Sequence, residues 1–159
     1  MLMNSGLELA QNSHPFLQSM PVKHLGLLSS CAVRHELEPG TLLIKEGEPA
    51  GQFYLIMHGS IAVEAHIPKD GSELVEVLGN GDVLGWSWMF PPFSWNFQAR
   101  VMVPTEVIEF NAAHLLVAAE RDHDFGYELM KRVAQVVIHR LQATRRQLMT
   151  ARNPMAQRN

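Results

Sequence analysis
The chain has one cysteine, Cys31, in 159 residues, and a lone thiol excludes an internal disulfide framework while suiting a reducing compartment. No apolar run approaches the roughly 20 residues that a membrane-spanning helix requires. The first residues, "MLMNSGLELAQNSHPF", carry neither a basic nor an apolar leader region, so the sequence predicts no secretory signal, no membrane association and a cytoplasmic location. Catalytic signatures are missing too: there is no G-x-S-x-G, no P-loop and no H-E-x-x-H. The eight histidines show no metal-ligand spacing. Gly79, Gly81 and Gly85 read G-x-G-x-x-x-G, one residue off a dinucleotide fingerprint and without a βαβ context, which is turn chemistry. The sequence therefore predicts no enzyme, no metal and no cofactor.

Charge is sparse, at 18% of residues against 47% hydrophobic, the balance of one globular domain large enough to bury a core unaided. The net charge of -3 hides an asymmetry. All 16 acidic residues lie in positions 1–128 with six basic ones, whereas positions 129–159 hold seven Lys or Arg and no acid. Such a basic arm either meets nucleic acid or an acidic partner, or lies against its own acidic domain with its cations favouring a helix C-terminus.

Periodicity divides the chain. Phe16, Leu17, Met20, Leu25, Leu27 and Leu28, broken by Pro21, predict two short helices forming a lid or base beside the core. From Ala32 to Phe110 the pattern becomes short alternating runs split by glycine at roughly the 8 to 12-residue spacing of an all-β sandwich or barrel. The clearest hairpin tip is "PKDGSE", with Asp70-Gly71 expected to supply the positive φ. Asn111 caps a predicted short helix, and Asp122 to Ala151 reads as one long helix. The organisation predicted is a roll with its N-terminal helices over 1–121, a long helix over 122–151 and a basic flexible tail over 152–159.

On the long helix, Tyr127, Met130, Ala134, Val137, Leu141, Thr144, Leu148 and Ala151 follow steps of three and four, which keeps them on one seam. Leu129, Val133 and Val136 widen the apolar face. The flank would then pack on the roll and the seam, through Met130, Ala134, Val137, Leu141, Thr144 and Leu148, on a twin helix in a homodimer. The alternative is a single helix along its own domain. Arg140, Arg145 and Arg146 are expected on the opposite, polar face.

The order of elements, together with "EGEPAGQFYLIMHGSIAVE", "GDVLG" and the glycines Gly40, Gly47, Gly59, Gly71, Gly81 and Gly85, resembles the cyclic nucleotide-binding domain of the catabolite activator family. The resemblance implies a mainly β fold: an eight-stranded double-stranded β-helix, or jelly roll, with short N-terminal helices and a long C-terminal helix. It implies a ligand inside the roll, its ribose held by a Glu after the Gly at position 85 and its phosphate by an Arg about nine residues on. Trp86 stands at the Glu position. The count to the Arg reaches Trp95, with an allowance of two residues, and Arg100 comes about five positions late at an offset that points it outward. Losing the cation that faces a buried phosphate typically costs about 3 to 5 kcal/mol, so usual-mode binding of cyclic nucleotides is expected to be weak or absent. Thr144 matches a long-helix Thr that touches the purine in relatives.

Between Gly79 and Arg100 stand three tryptophans and three phenylalanines. Gly85, Trp86, Ser87, Trp88, Trp95, Asn96, Phe97 and Thr144 are the candidate ligand-pocket residues, suited to an apolar or planar molecule with indole N–H groups and Asn96 as polar handles. Two other uses stay open: the indoles fill the vacated site and leave a ligand-free dimeric scaffold, or "WMFPPFSW" forms an exposed partner patch. A non-standard mode of cyclic nucleotide binding is a further alternative. With about ten residues after Leu148, too few for a helix-turn-helix, sequence-specific DNA binding is not expected within this chain.

Overall fold
Alternating runs and glycine turns build eight strands in the computed structural model, which describes residues 8–152. They are β1 (Ala32–Leu37), β2 (Leu42–Ile44), β3 (Gln52–His58), β4 (Ile61–Ile67), β5 (Gly71–Leu78), β6 (Val83–Leu84), β7 (Gln98–Val101) and β8 (Thr105–Asn111). Helix α1 (Val22–Ser29) precedes them, and α2 (Ala112–Arg121) and α3 (His123–Arg152) follow. The strands form two antiparallel four-stranded sheets in the orders β1-β8-β3-β6 and β2-β7-β4-β5. Pairing of β1 with β8, from Ala32 opposite Phe110 to Leu37 opposite Thr105, joins the two ends of the roll. This is the jelly-roll architecture that the sequence predicts.

The inner faces of the sheets supply the core. The Phe53 ring stacks on Phe110 at 4.8 Å and on Trp88 at 5.1 Å, and meets Phe16 at 5.7 Å. The N-terminal segment belongs to this core, which corrects its reading as a lid or base. Phe16, Leu17, Met20, Leu25 and Leu28 are all buried, because the end of the roll exposes aromatic rings that only apolar side chains can cover. Only one of the two predicted helices forms there. The other is a single 3-10 turn, Pro15–Leu17, which opens on proline and is followed by Ser19 at φ 62.

The six glycines that carry the family resemblance are, among the described residues, the six found at positive φ. Gly59 shows why: a Cβ there would lie 2.7 Å from the backbone Cα of Thr105, which cannot move aside. At the β4–β5 tip the positive φ falls on Lys69 and Gly71 rather than on Asp70. Asn111 caps α2 by accepting the N–H of His114 at 3.0 Å. The Asp122 carboxylate does the same for α3, accepting from Phe125 N–H at 3.2 Å and pairing with Lys23 at 3.2 Å. That N–H, with Lys23 beside it, holds the Asp122 carboxyl below its ordinary value. Of the predicted basic tail only Arg152 is described, as the last residue of α3; 153–159 lie outside the described residues.

His14 locks the segment before α1 to the roll. Its Nδ1 accepts the Phe16 N–H at 3.0 Å and its Nε2 donates to the Asp82 carbonyl at 3.2 Å. Those partners require the neutral imidazole protonated on Nε2. Burial pushes the His14 pKa below its usual 6.5, against the opposing pull of the Asp82 carbonyl. The fold therefore favours the neutral form, so its contribution is complete above the unfolded-state value of about 6.5 and is lost as pH falls below it toward the folded-state value. Urea titrations from pH 7.5 to 5 should show stability declining with acidification, and His14→Gln should flatten that slope whatever it does to stability at pH 7.5.

Candidate functional site
One cavity of about 380 Å³ opens between the roll and α3, within the 300 to 1,000 Å³ usual for small-molecule sites. Its floor and sides are apolar: Val63 and Ala65 from β4, Val75 from β5 and Leu84 from β6. Gly85, Trp86, Asn96 and Phe97 come from the aromatic run, and Val137, Leu141 and Thr144 descend from α3. Val63 and Ala65 share a wall because strand alternation sends every second side chain inward, the register shift opposite them brings the neighbours Val75 and Glu76 to the same wall, and steps of three and four on α3 bring its residues over the opening.

The aromatic run divides. Trp88 and Trp95, at 1% and 3% exposure, belong to the core and are absent from the cavity wall. Trp88 lies flat against Phe53 and donates its indole N–H to the Gly85 carbonyl at 3.3 Å. Trp95 packs edge-on to Phe97 at 5.6 Å and fills the space beside Gly85. Its backbone is pinned by two bonds to the β2–β3 turn, Trp95 N–H to the Glu48 carbonyl at 2.9 Å and Gly47 N–H to the Trp95 carbonyl at 2.8 Å. Within the two-residue allowance around the expected phosphate anchor, the side chains that face the cavity are therefore Asn96 and Phe97, not Trp95. Ser87 opens the single 3-10 turn Ser87–Met89 and does not line the cavity. At the loop tip, Phe90 and Phe93 are about half exposed beside the cis Pro91–Pro92 bond.

Sequence reasoning missed Arg140. It was assigned to the polar outer face of the long helix, and the structure places it on the cavity wall with a side-chain exposure of 15%. A guanidinium thus enters the cavity from α3 rather than from the aromatic run. Its Nη1 donates to Glu76 Oε2 at 3.0 Å, its Nη2 donates to the Val83 carbonyl, and its Cζ lies over the Trp86 ring, 5.6 Å from the centroid. Glu76 itself is 24% exposed and also lines the cavity. The available signal was the stripe Leu129, Val133, Val136, Arg140: with the three apolar members facing the body, the fourth must face it too. Arg100, by contrast, points outward and pairs with Glu64 at 3.5 Å, as its offset implied.

Of the predicted seam, Met130, Ala134, Leu141, Thr144 and Leu148 are exposed and Val137 is half-buried, while Phe125, Leu129 and Val133 are buried. Among the described residues, no group of three or more His, Cys, Asp or Glu side chains could hold a metal ion, and no helix is long and apolar enough to cross a membrane. Cys31 is buried, and burial raises its thiol pKa.

Comparison with known proteins places this geometry. The family model of the cyclic nucleotide-binding domain matches residues 34–122. A cyclic nucleotide-binding domain from Methylobacillus flagellatus KT superposes with a TM-score of 0.74 at 19% identity, over 81% of this chain and 72% of that one. The sensor domain of the transcriptional regulator DNR from Pseudomonas aeruginosa gives 0.65 at 18% identity, over 82% and 87%. The catabolite activator protein of Thermus thermophilus gives 0.68 at 17% identity, over 86% and 62%. At these identities the likeness is one of fold. No curated protein sequence matches significantly.

Gly85 carries the local geometry. It sits at φ 97, and a Cβ would fall 2.6 Å from Cη2 of Trp95, a ring held on all sides. Strain at positive φ and overpacking each typically cost about 1 to 3 kcal/mol. Gly85→Ala should lower stability by about 2 to 6 kcal/mol in chemical denaturation and shift the tryptophan emission as the Trp95 indole moves.

Proposed function
The chain belongs to the cyclic nucleotide-binding domain family, and from that premise we propose that it is a regulatory sensor module whose cavity receives a planar, largely apolar and uncharged molecule. The domain fold is usually regulatory and non-catalytic, and the apolar walls with few polar handles suit binding rather than chemistry. The observation that carries this reading is the pairing of Arg140 with Glu76. Among the described residues, the two charged side chains on the cavity wall neutralise each other. An entering phosphate monoanion would meet an already engaged guanidinium and the carboxylate that engages it, at the position where Asn96 and Phe97 offer no cation. Trp86, Phe97 and the α3 side chains Val137 and Leu141 instead offer flat apolar surface, with the Asn96 amide and Thr144 hydroxyl to orient a neutral group.

In this reading the module works in the cytoplasm as a homodimer through α3. The buried stripe is spent on the body, and the exposed seam, with Leu141 at 58% exposure, is the apolar surface left over. Partner helices packing side by side would cover Met130, Ala134, Leu141 and Leu148.

Two measurements test these statements. Calorimetric titration with cyclic AMP and cyclic GMP should show dissociation constants no tighter than about 100 μM, since loss of a buried charge partner is worth on the order of a hundredfold or more; micromolar binding would refute the uncharged-ligand reading. Sedimentation equilibrium should give twice the chain mass, and Leu141→Asp should halve it with the circular dichroism spectrum retained. An unchanged mass in that variant places the contact elsewhere.

A further inference from the structure
Three elements hold the Arg140 guanidinium: the Glu76 carboxylate on β5, the Val83 carbonyl on β6, and the face of Trp86 just after β6. Of these partners only Glu76 carries charge. We infer that Glu76 is the specificity-determining residue of the cavity, neutralising Arg140 and thereby closing the site to anionic ligands that its shape would admit. This inference rests on the proposal that the cavity is a ligand site for uncharged molecules.

The division of labour among the three partners makes the argument. A carboxylate is not needed to position the guanidinium, because the Val83 carbonyl accepts from Nη2 and the indole face lies against its Cζ. Position and neutralisation are therefore separable. Removing the charge at position 76 while keeping an acceptor oxygen leaves Arg140 on the wall as an uncompensated cation in a mostly apolar cavity. A guanidinium there presents N–H donors in the planar fork that suits phosphate and carboxylate oxygens. Among the described residues no other charged side chain lines this cavity to take over either role: Arg132, His139 and Asp82 line an adjoining cleft that Arg140 borders as well, and Arg100 is turned outward with Glu64.

Glu76→Gln keeps the size and the acceptor and removes the charge. Cyclic AMP and adenosine are suitable probes, because they share a base and sugar and differ by the phosphate. In calorimetric titrations of the full chain, Glu76→Gln should bind cyclic AMP at least about tenfold more tightly than the wild type, with adenosine affinity unchanged within about threefold. Adding Arg140→Gln to that variant should abolish the gain. Circular dichroism and thermal melts establish that each variant is folded, and Glu76→Ala replaces Glu76→Gln should the latter not fold. The inference is overturned if the neutralised variant binds cyclic AMP no better than the wild type, including the case where neither binds detectably, or if the gain survives loss of Arg140. Micromolar cyclic AMP binding by the wild type is a different failure. It would sink the uncharged-ligand reading of the site, whereas the comparison between variants would still report on Glu76.

Discussion

The ion pair between Arg140 and Glu76, 3.0 Å long and three-quarters or more buried on both sides, ties α3 to the roll and sets the electrical character of the cavity. Coulomb attraction alone would make it a weak determinant, because two charges drawn from water lose much of what they gain from one another. The further bond to the Val83 carbonyl and the cation–π contact with Trp86 make this guanidinium a fixed point. Through it α3 is joined to β5, β6 and the start of the aromatic run at one place. The apolar stripe of Phe125, Leu129 and Val133 brings the helix down on the body, and Arg140 ends that contact with a polar clasp at the mouth of the cavity.

The roll was legible because its turns are dictated by sterics that one residue type satisfies. Gly40, Gly47, Gly59, Gly71, Gly81 and Gly85 all take positive φ, and glycine is the residue whose replacement those conformations oppose. Asn111 was readable for a similar reason, since a short side chain before an apolar stripe has one common use, capping the helix that follows, whereas Asp122, read as the first residue of the long helix, is its cap. The core role of Leu17 and Met20 was not legible, because short apolar stretches look alike whether they cover a core from outside or complete it. Arg140 was hidden by its charge. Binary patterning assigns a cation to solvent, and only the geometric argument, four residues beyond Val136 and seven beyond Val133, places it inward.

The aromatic run could not be parsed by composition, because six large rings within 22 positions serve two purposes at once. Trp88 and Trp95 are structural: one extends the stack that begins at Phe53 and Phe110, the other fills the hollow left by the missing Cβ of Gly85. Trp86 and Phe97 remain on the cavity wall. The two readings drawn from the sequence, a lined pocket and a self-filled one, each describe part of the run. Backbone pairing of 93–95 with the β2–β3 turn makes the division, since it fixes Trp95 inward and leaves Asn96 and Phe97 to face the open space.

A neutral occupant of this cavity would leave the Arg140 clasp intact, so its influence on the rest of the molecule has to travel by packing. The residues able to carry it are few. Val137, Leu141 and Thr144 line the cavity, and the same three belong to the seam that a second helix would cover. A ring lodged against Leu141 changes the rotamers open to that side chain, and therefore the surface that α3 presents on its other flank. Met130 and Leu148, on the seam but away from the cavity, would contribute to association without sensing the ligand. In the proposed reading, occupancy and pairing of chains would converge on about two turns of α3, the turns that also carry Arg140.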